Sequence, residues 1–226
     1  MSMTDNFTSD LFPQAQWSSC DPSMQCVLAA GALLMRGLAL PRAETLWYAL
    51  QHVLEAAPLR HMITPGGLRM SVAMSNCGHC GWISDRGGYR YAANDPHSGH
   101  PWPAMPATFR VLATSAAALA GFERFEPDAC LINCYAPGTR LSLHQDRDER
   151  DFAHPIVSVS LGLPATFLFG GLRRADATER IALQHGDVLA WGGPSRLHYH
   201  GVLPLKEGSH TMTGRFRFNL TFRRAT

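Results

Sequence analysis

Arg217-Phe218-Asn219-Leu220-Thr221-Phe222-Arg223, near the C-terminal end of the chain, alternates polar and apolar side chains at every position. Successive side chains of an extended strand point to opposite faces. Arg217, Asn219, Thr221 and Arg223 therefore share one face, and Phe218, Leu220 and Phe222, with Phe216 ahead of them, share the other. The aromatic face requires a core to lie on. Similar short runs, rich in β-branched or aromatic residues, stand upstream at 130–136, 156–161, 166–169, 180–183, 187–191 and 197–203. Turn residues separate them: Pro137-Gly138, Gly170-Gly171, His185-Gly186-Asp187 and Gly192-Gly193-Pro194. Many short strands at this spacing predict a sandwich or barrel.

Ahead of these runs the periodicity is helical. Leu46, Trp47, Leu50, Val53 and Leu54 recur within 41–57, and Pro58 ends the run. A second helix is predicted over 107–120 between Pro106 and Gly121, the usual proline-first, glycine-last arrangement. Residues 60–105, rich in Gly, Pro, Asn and Trp, read as turns and short strands, and residues 1–25 as polar and irregular. The expected fold class is mainly β with flanking helices (α+β), the helices preceding a jelly-roll sandwich.

With 226 residues, the chain is long enough for one domain with a sizeable core. Its net charge of +2 permits nucleic-acid binding without announcing it. Six cysteines are too sparse for a disulfide scaffold, and Cys77-x-x-Cys80 has no second pair at zinc-ribbon spacing, so reduced thiols are expected. The longest apolar run, 26–35, is too short to span a bilayer, and no signal-peptide pattern precedes it. The expectation is a soluble, non-secreted, cytoplasmic chain, monomeric by default.

His144-Gln145-Asp146 sets an imidazole and a carboxylate two residues apart, on one side of an extended segment, and His200 offers a second imidazole downstream. Two histidines and one carboxylate leave coordination positions open, which suits non-haem Fe(II) oxygenases. On spacing alone, solvated loop residues would explain the same pattern. His198 is expected to pack or hydrogen-bond nearby, because a fourth protein ligand would block the position oxygen needs.

The polar face of 217–223 carries two guanidiniums around an amide and a hydroxyl, a good seat for a dicarboxylate. An edge strand kept soluble by its arginines is the alternative. Asn133 and Tyr135 share a face of 130–136 and could add hydrogen bonds.

Taken together, these residues resemble the AlkB family of Fe(II)- and 2-oxoglutarate-dependent dioxygenases. The resemblance runs from about residue 30 to the C-terminal end, through 64–67 (TPGG), 70–82 (MSVAMSNCGHCGW), 101–106 (PWPAMP), 127–138 (PDACLINCYAPG), 141–149 (LSLHQDRDE), 156–164 (IVSVSLGLP), 185–200 and 217–223. The irregular arm expected at 1–29 lies outside it, and it implies one dioxygenase domain at 30–226. Within that domain a nucleotide-recognition lid at about 60–105 would precede a double-stranded β-helix core at about 128–224. It implies iron at His144, Asp146 and His200, and 2-oxoglutarate at Asn133, Tyr135, Arg217, Asn219 and Arg223, with O2 as the second cosubstrate.

For the substrate, the resemblance implies Trp82 and Tyr89 flanking a flipped base, with His144 stacking from the iron side. Asp148 would read the exocyclic amine with Glu149 in support, Arg174 would lie at the pocket edge, and Thr64 and Tyr91 would help hold the lid and nucleotide backbone. The implied reaction is oxidative dealkylation of bases such as 1-methyladenine and 3-methylcytosine in single- or double-stranded DNA. RNA, free nucleotides or a protein side chain are the alternative substrates of the same chemistry, and a non-catalytic jelly-roll binding module the alternative class. A zinc or redox site at Cys77-Gly78-His79-Cys80 is a third reading. Two departures stand out: His198 replaces an aromatic Phe of similar family members, and 212–216 (MTGRF) differs ahead of the arginine strand.

Overall fold

The computed structural model describes residues 24–226. A hairpin of β1 (Gln25–Ala29) and β2 (Ala32–Met35) leads through a 3-10 turn, Leu40–Arg42, into helix α1 (Ala43–Ala56). Then come β3 (Ala73–Gly78), β4 (Gly81–Asp85), β5 (Gly88–Ala92) and helix α2 (Ala107–Leu119). Eight strands complete the chain: β6 (Ala129–Tyr135), β7 (Leu141–His144), β8 (Ile156–Gly162), β9 (Ala165–Phe169), β10 (Glu179–Leu183), β11 (Val188–Trp191), β12 (His200–Val202) and β13 (Arg217–Arg223).

Both predicted helices form, the first shorter than its sequence pattern by three residues and the second by one. Pro41 sits in the 3-10 turn, so α1 starts at Ala43 and buries Leu46, Leu50 and Val53 at helical spacing. In α2 the buried stripe is Phe109, Leu112, Ala113, Ala116 and Ala117. Two antiparallel sheets stack beneath these helices. The larger runs β1-β2-β11-β8-β13-β6-β3, and the smaller β10-β9-β12-β7. Strand alternation sorts the larger sheet's side chains. Ile132, Val157, Val159, Phe218, Leu220 and Phe222 face the helices, with Phe218 edge-on to Trp47 and Phe222 edge-on to Phe109. Leu131, Tyr135, Ile156 and Trp191 face the smaller sheet and meet Phe167, Phe169 and Val202 there. The jelly-roll expectation holds.

Several boundaries move. Residues 25–29, expected within the irregular arm, form β1, paired with β2 across the apolar run. Residues 1–23 lie outside the described residues. The stretch expected as a lid divides: β3 pairs with β6 in the larger sheet, whereas β4 and β5 pair only with each other. The arginine strand β13 is no edge strand, since it lies between β6 and β8. Phe216 precedes it and is exposed. Among the described residues no helix is long and apolar enough to cross a membrane.

The turn into β11 is held by a histidine pair. The Gly162 N–H donates to His185 Nδ1 at 3.0 Å, the Met212 N–H donates to His210 Nδ1 at 3.2 Å, and the two rings lie 4.4 Å apart. Burial, and then the neighbouring His210, push the His185 imidazole below its ordinary value. The folded state therefore prefers neutral His185, so the stability it contributes is present above about pH 6.5 and is lost as the pH falls towards the folded value. In thermal melts, a His185→Gln variant should lose less stability than wild type between pH 7.5 and 5.5; parallel curves would refute this. Phe222→Ala, which empties the space beneath α2, should cost about 3–5 kcal/mol in denaturant unfolding.

Candidate metal centre and its pocket

A cavity of about 730 Å³ opens between the two sheets. β7 and β12 place His144 and His200 directly opposite each other across an antiparallel pair, and Asp146 follows just past β7. Gly201 allows this approach, because a Cβ there would sit 2.8 Å from the Leu141 carbonyl. One ligand-capable atom from each of His144, Asp146 and His200 lies within 4.8 Å of the others. His144 Nε2 is 3.6 Å from Asp146 Oδ1, and His200 Nε2 is 3.7 Å from Asp146 Oδ2.

The remaining ring nitrogens decide the tautomers. His144 Nδ1 lies 2.8 Å from the Ser142 carbonyl and His200 Nδ1 lies 3.0 Å from the His198 carbonyl. A carbonyl only accepts, so each Nδ1 carries the proton and each Nε2 lone pair faces Asp146. Burial opposes ionisation of Asp146, but Arg223 and the two imidazoles outweigh it and hold the carboxyl well below the usual range. Burial, then His144, push His200 down to about 4. For His144, burial also favours the neutral ring, but the neighbouring Asp146 carboxylate outweighs it and raises its pKa. An ionised carboxylate with two inward Nε2 atoms is a donor set that fits a divalent ion of the iron type.

Arg217 is 1% exposed, at the floor of the same cavity. Its Nη2 donates to Ser160 Oγ at 2.9 Å, and its guanidinium lies 5.2 Å over the Tyr135 ring. Its Nε and Nη1 are buried without a partner, as is Asn133 Oδ1. Leaving buried donors unpaired costs about 1–3 kcal/mol each, more on a cation. The arrangement fits an anion that supplies the missing acceptors. Asn219 is held by Ser158 and by Thr221, and it receives Asn133 Nδ2. Arg223 also lines the cavity but is already committed, with Nη2 at 2.5 Å from Asp146 Oδ2 and Nε at 3.2 Å from Glu149 Oε1. The two arginines of β13 thus do different work.

Thr64, Trp82, Tyr89, Asp148 and Arg174 also line the cavity. The Trp82 and Tyr89 rings stack on each other at 5.6 Å, and Trp82 Nε1 donates to Asp148 Oδ2 at 2.7 Å. A base flanked by both rings would have to part them. Arg174 donates to the Leu143 carbonyl, and the Thr64 hydroxyl oxygen accepts the Leu68 N–H. Glu149 and Tyr91 stand off the cavity wall: the Tyr91 hydroxyl donates to Glu149 Oε1 at 2.6 Å, and Glu149 is buried.

His198 packs on Phe169 at 5.2 Å and does not line the cavity. Cys77 faces the helix-side core, whereas Cys80 belongs to a separate small cluster with Ala129 and Ala225. Burial, then Asp128, push the Cys80 thiol up to about 12, so it stays protonated. Sequence reasoning passed over Ser158 and Ser160, although their alternation in 156–162 was legible. It also passed over Arg196, which carried no local signal.

Comparison with known proteins gives one family. The 2OG-Fe(II) oxygenase superfamily matches residues 31–223. The chain is 58% identical over 198 residues to the alpha-ketoglutarate-dependent dioxygenase AlkB of Salmonella typhimurium, covering 88% of this chain and 92% of that protein. It is 55% identical over 217 residues to the AlkB dioxygenase of Escherichia coli, covering 96% and 97%. The solved structure of OsALKBH1 superposes with a TM-score of 0.75 at 27% identity, covering 88% of this chain and 99% of that one.

Replacing Arg217 by Met should weaken 2-oxoglutarate binding about 10- to 100-fold, since charged hydrogen bonds contribute about 1.5–3 kcal/mol. Titration calorimetry on Mn(II)-loaded protein measures this, and unchanged affinity would remove Arg217 from the site.

Proposed function

The chain belongs to the 2OG-Fe(II) oxygenase superfamily, among the AlkB dioxygenases, and on that premise we propose that it oxidatively removes alkyl groups from damaged nucleobases. It is an Fe(II)- and 2-oxoglutarate-dependent dioxygenase. For a methylated base the balanced reaction consumes 2-oxoglutarate and O2, and yields the repaired base, formaldehyde, succinate and CO2. The bound iron and its cosubstrates supply the oxidising chemistry.

In this reading His144, Asp146 and His200 hold the iron. Arg217 takes the far carboxylate of 2-oxoglutarate, helped by Asn133, Tyr135 and Asn219. Arg223 acts on the cosubstrate side by fixing Asp146. The observation that carries the proposal is the shared cavity: the triad, the unpaired Arg217 donors, and the Trp82, Tyr89 and Asp148 wall all face it. A base stacked against Trp82 would present its pairing edge to the triad. The free oxygen of Asp148 would accept the exocyclic amine of adenine or cytosine, which favours those bases. A lesion that already prevents pairing lowers the cost of extruding the base.

Single- or double-stranded DNA is the proposed substrate, with RNA as the alternative. Action in the cytoplasm as a monomer belongs to the same proposal.

The test is Fe(II) protein loaded anaerobically, then given 2-oxoglutarate, O2 and a single-stranded oligonucleotide carrying 1-methyladenine, with mass spectrometry as readout. Loss of the methyl group with formaldehyde release, abolished in His144→Ala, is the expected outcome. Succinate without demethylation would move the substrate elsewhere. Asp148→Ala should lose repair far more than it loses uncoupled 2-oxoglutarate turnover; equal loss of both would end its base-reading role.

A further inference from the structure

Arg196 is 3% exposed, off the cavity wall, in the turn between β11 and β12 and four residues before His200. All its donor nitrogens reach one segment. Nε donates to the His154 carbonyl at 3.0 Å, Nη1 to the Asp146 carbonyl at 2.7 Å, and Nη2 to Glu149 Oε2 at 3.0 Å. The guanidinium lies 5.2 Å over the Phe152 ring. The other oxygen of Glu149 takes the Tyr91 hydroxyl and lies 3.2 Å from Arg223 Nε, and Arg223 in turn grips the Asp146 carboxylate. Asp146 is thereby held at both ends, its carbonyl by Arg196 and its carboxylate by Arg223. Glu149 joins the two arginines to Tyr91, which belongs to the β4–β5 hairpin.

We propose that Arg196 is a positioning residue for the oxygenase reaction: it sets the backbone of Asp146 and, through Glu149 and Tyr91, ties that ligand to the hairpin carrying Trp82 and Tyr89. The inference rests on the reading of His144, Asp146 and His200 as iron ligands. Its physical basis is the geometry of the guanidinium. A planar fork with fixed donor directions specifies two carbonyls and a carboxylate oxygen at once, which a lysine ammonium cannot do from one point. Removing the fork strands those acceptors in a dry region, and the loop must turn them towards water. The Asp146 carbonyl is one residue's backbone away from the liganding carboxylate, so that turn displaces the ligand. The local charges balance, with Asp146 and Glu149 against Arg196 and Arg223. Arg196→Lys keeps that balance and removes only the fork, which separates positioning from charge compensation.

The experiment uses the full chain and Mn(II) as a redox-inert probe, in calorimetric titration without nucleic acid. Arg196→Met should weaken Mn(II) binding about 10- to 100-fold, the usual effect of losing an outer partner of a metal ligand, and Arg196→Lys should fail to restore it. In metal-free protein, hydrogen exchange over residues 81–92 should rise in Arg196→Lys and in Tyr91→Phe alike. Wild-type Mn(II) affinity in both Arg196 variants, with only a lowered melting temperature, would reduce Arg196 to packing and overturn the proposal. Full rescue by lysine would make its role charge compensation, which also overturns it. Unchanged exchange over 81–92 in Arg196→Lys would sever the link to the hairpin. If Arg196→Met does not fold, Arg196→Lys and Tyr91→Phe still decide between these outcomes. His144→Ala is the control for the ligand reading: Mn(II) binding that survives it would defeat that reading, independently of Arg196.

Discussion

An ionised carboxylate withdrawn from water must be matched by positive charge and hydrogen bonds, or it takes up a proton. Asp146 is in that position. Arg223 and two imidazoles outweigh its burial and keep it charged, and its carbonyl is fixed separately by Arg196. A carboxylate kept ionised and pointed at two Nε2 lone pairs is what makes the site able to take a divalent cation. The rest of the architecture brings these groups together from β7, from β12, from the turn before β12 and from β13.

The sandwich makes that convergence affordable. The larger sheet puts its apolar face under α1 and α2, where Phe218, Leu220 and Phe222 lie. Its other face can then carry Asn133, Ser158, Ser160, Arg217 and Asn219 without depleting the main core. These polar groups mostly satisfy one another: Ser160 takes Arg217, and Ser158 takes Asn219. The exceptions are Asn133 Oδ1 and Arg217 Nε and Nη1, and the arginine donors lie where an anionic cosubstrate would supply acceptors. Fold and chemistry meet on one strand, since consecutive residues of β13 alternately hold the helices and face the cavity.

The hairpin side of the cavity is organised differently. The β4–β5 hairpin pairs with neither large sheet. Its link to the rest includes the Trp82 indole on Asp148 and the Tyr91 hydroxyl on Glu149. Asp148 and Glu149 are neighbours in sequence but point to different tasks, one towards the cavity and one into the buried arginine network. A ligand entering beside Trp82 would therefore meet a hairpin already joined, through Glu149, to the segment bearing Asp146.

Alternation and local spacing were enough to determine the helices, the β13 faces and the short-strand sandwich, and to put His144 and Asp146 on one side of the chain, because a period of two or 3.6 is a property of consecutive residues. The blocks resembling AlkB added the ligand and cosubstrate assignments. Tertiary structure decided what depends on residues distant in sequence. It set His200 opposite His144 across a strand pair, and it divided 60–105 between the larger sheet and a separate hairpin. It turned Arg223 towards Asp146 while leaving Nε and Nη1 of Arg217 unpaired, and it set Glu149 and Tyr91 off the cavity wall. Arg196 shows the reason most clearly. Its acceptors lie 42 to 50 residues away, and no local pattern encodes which carbonyl a buried guanidinium will meet, because that is fixed only when the two sheets close on each other.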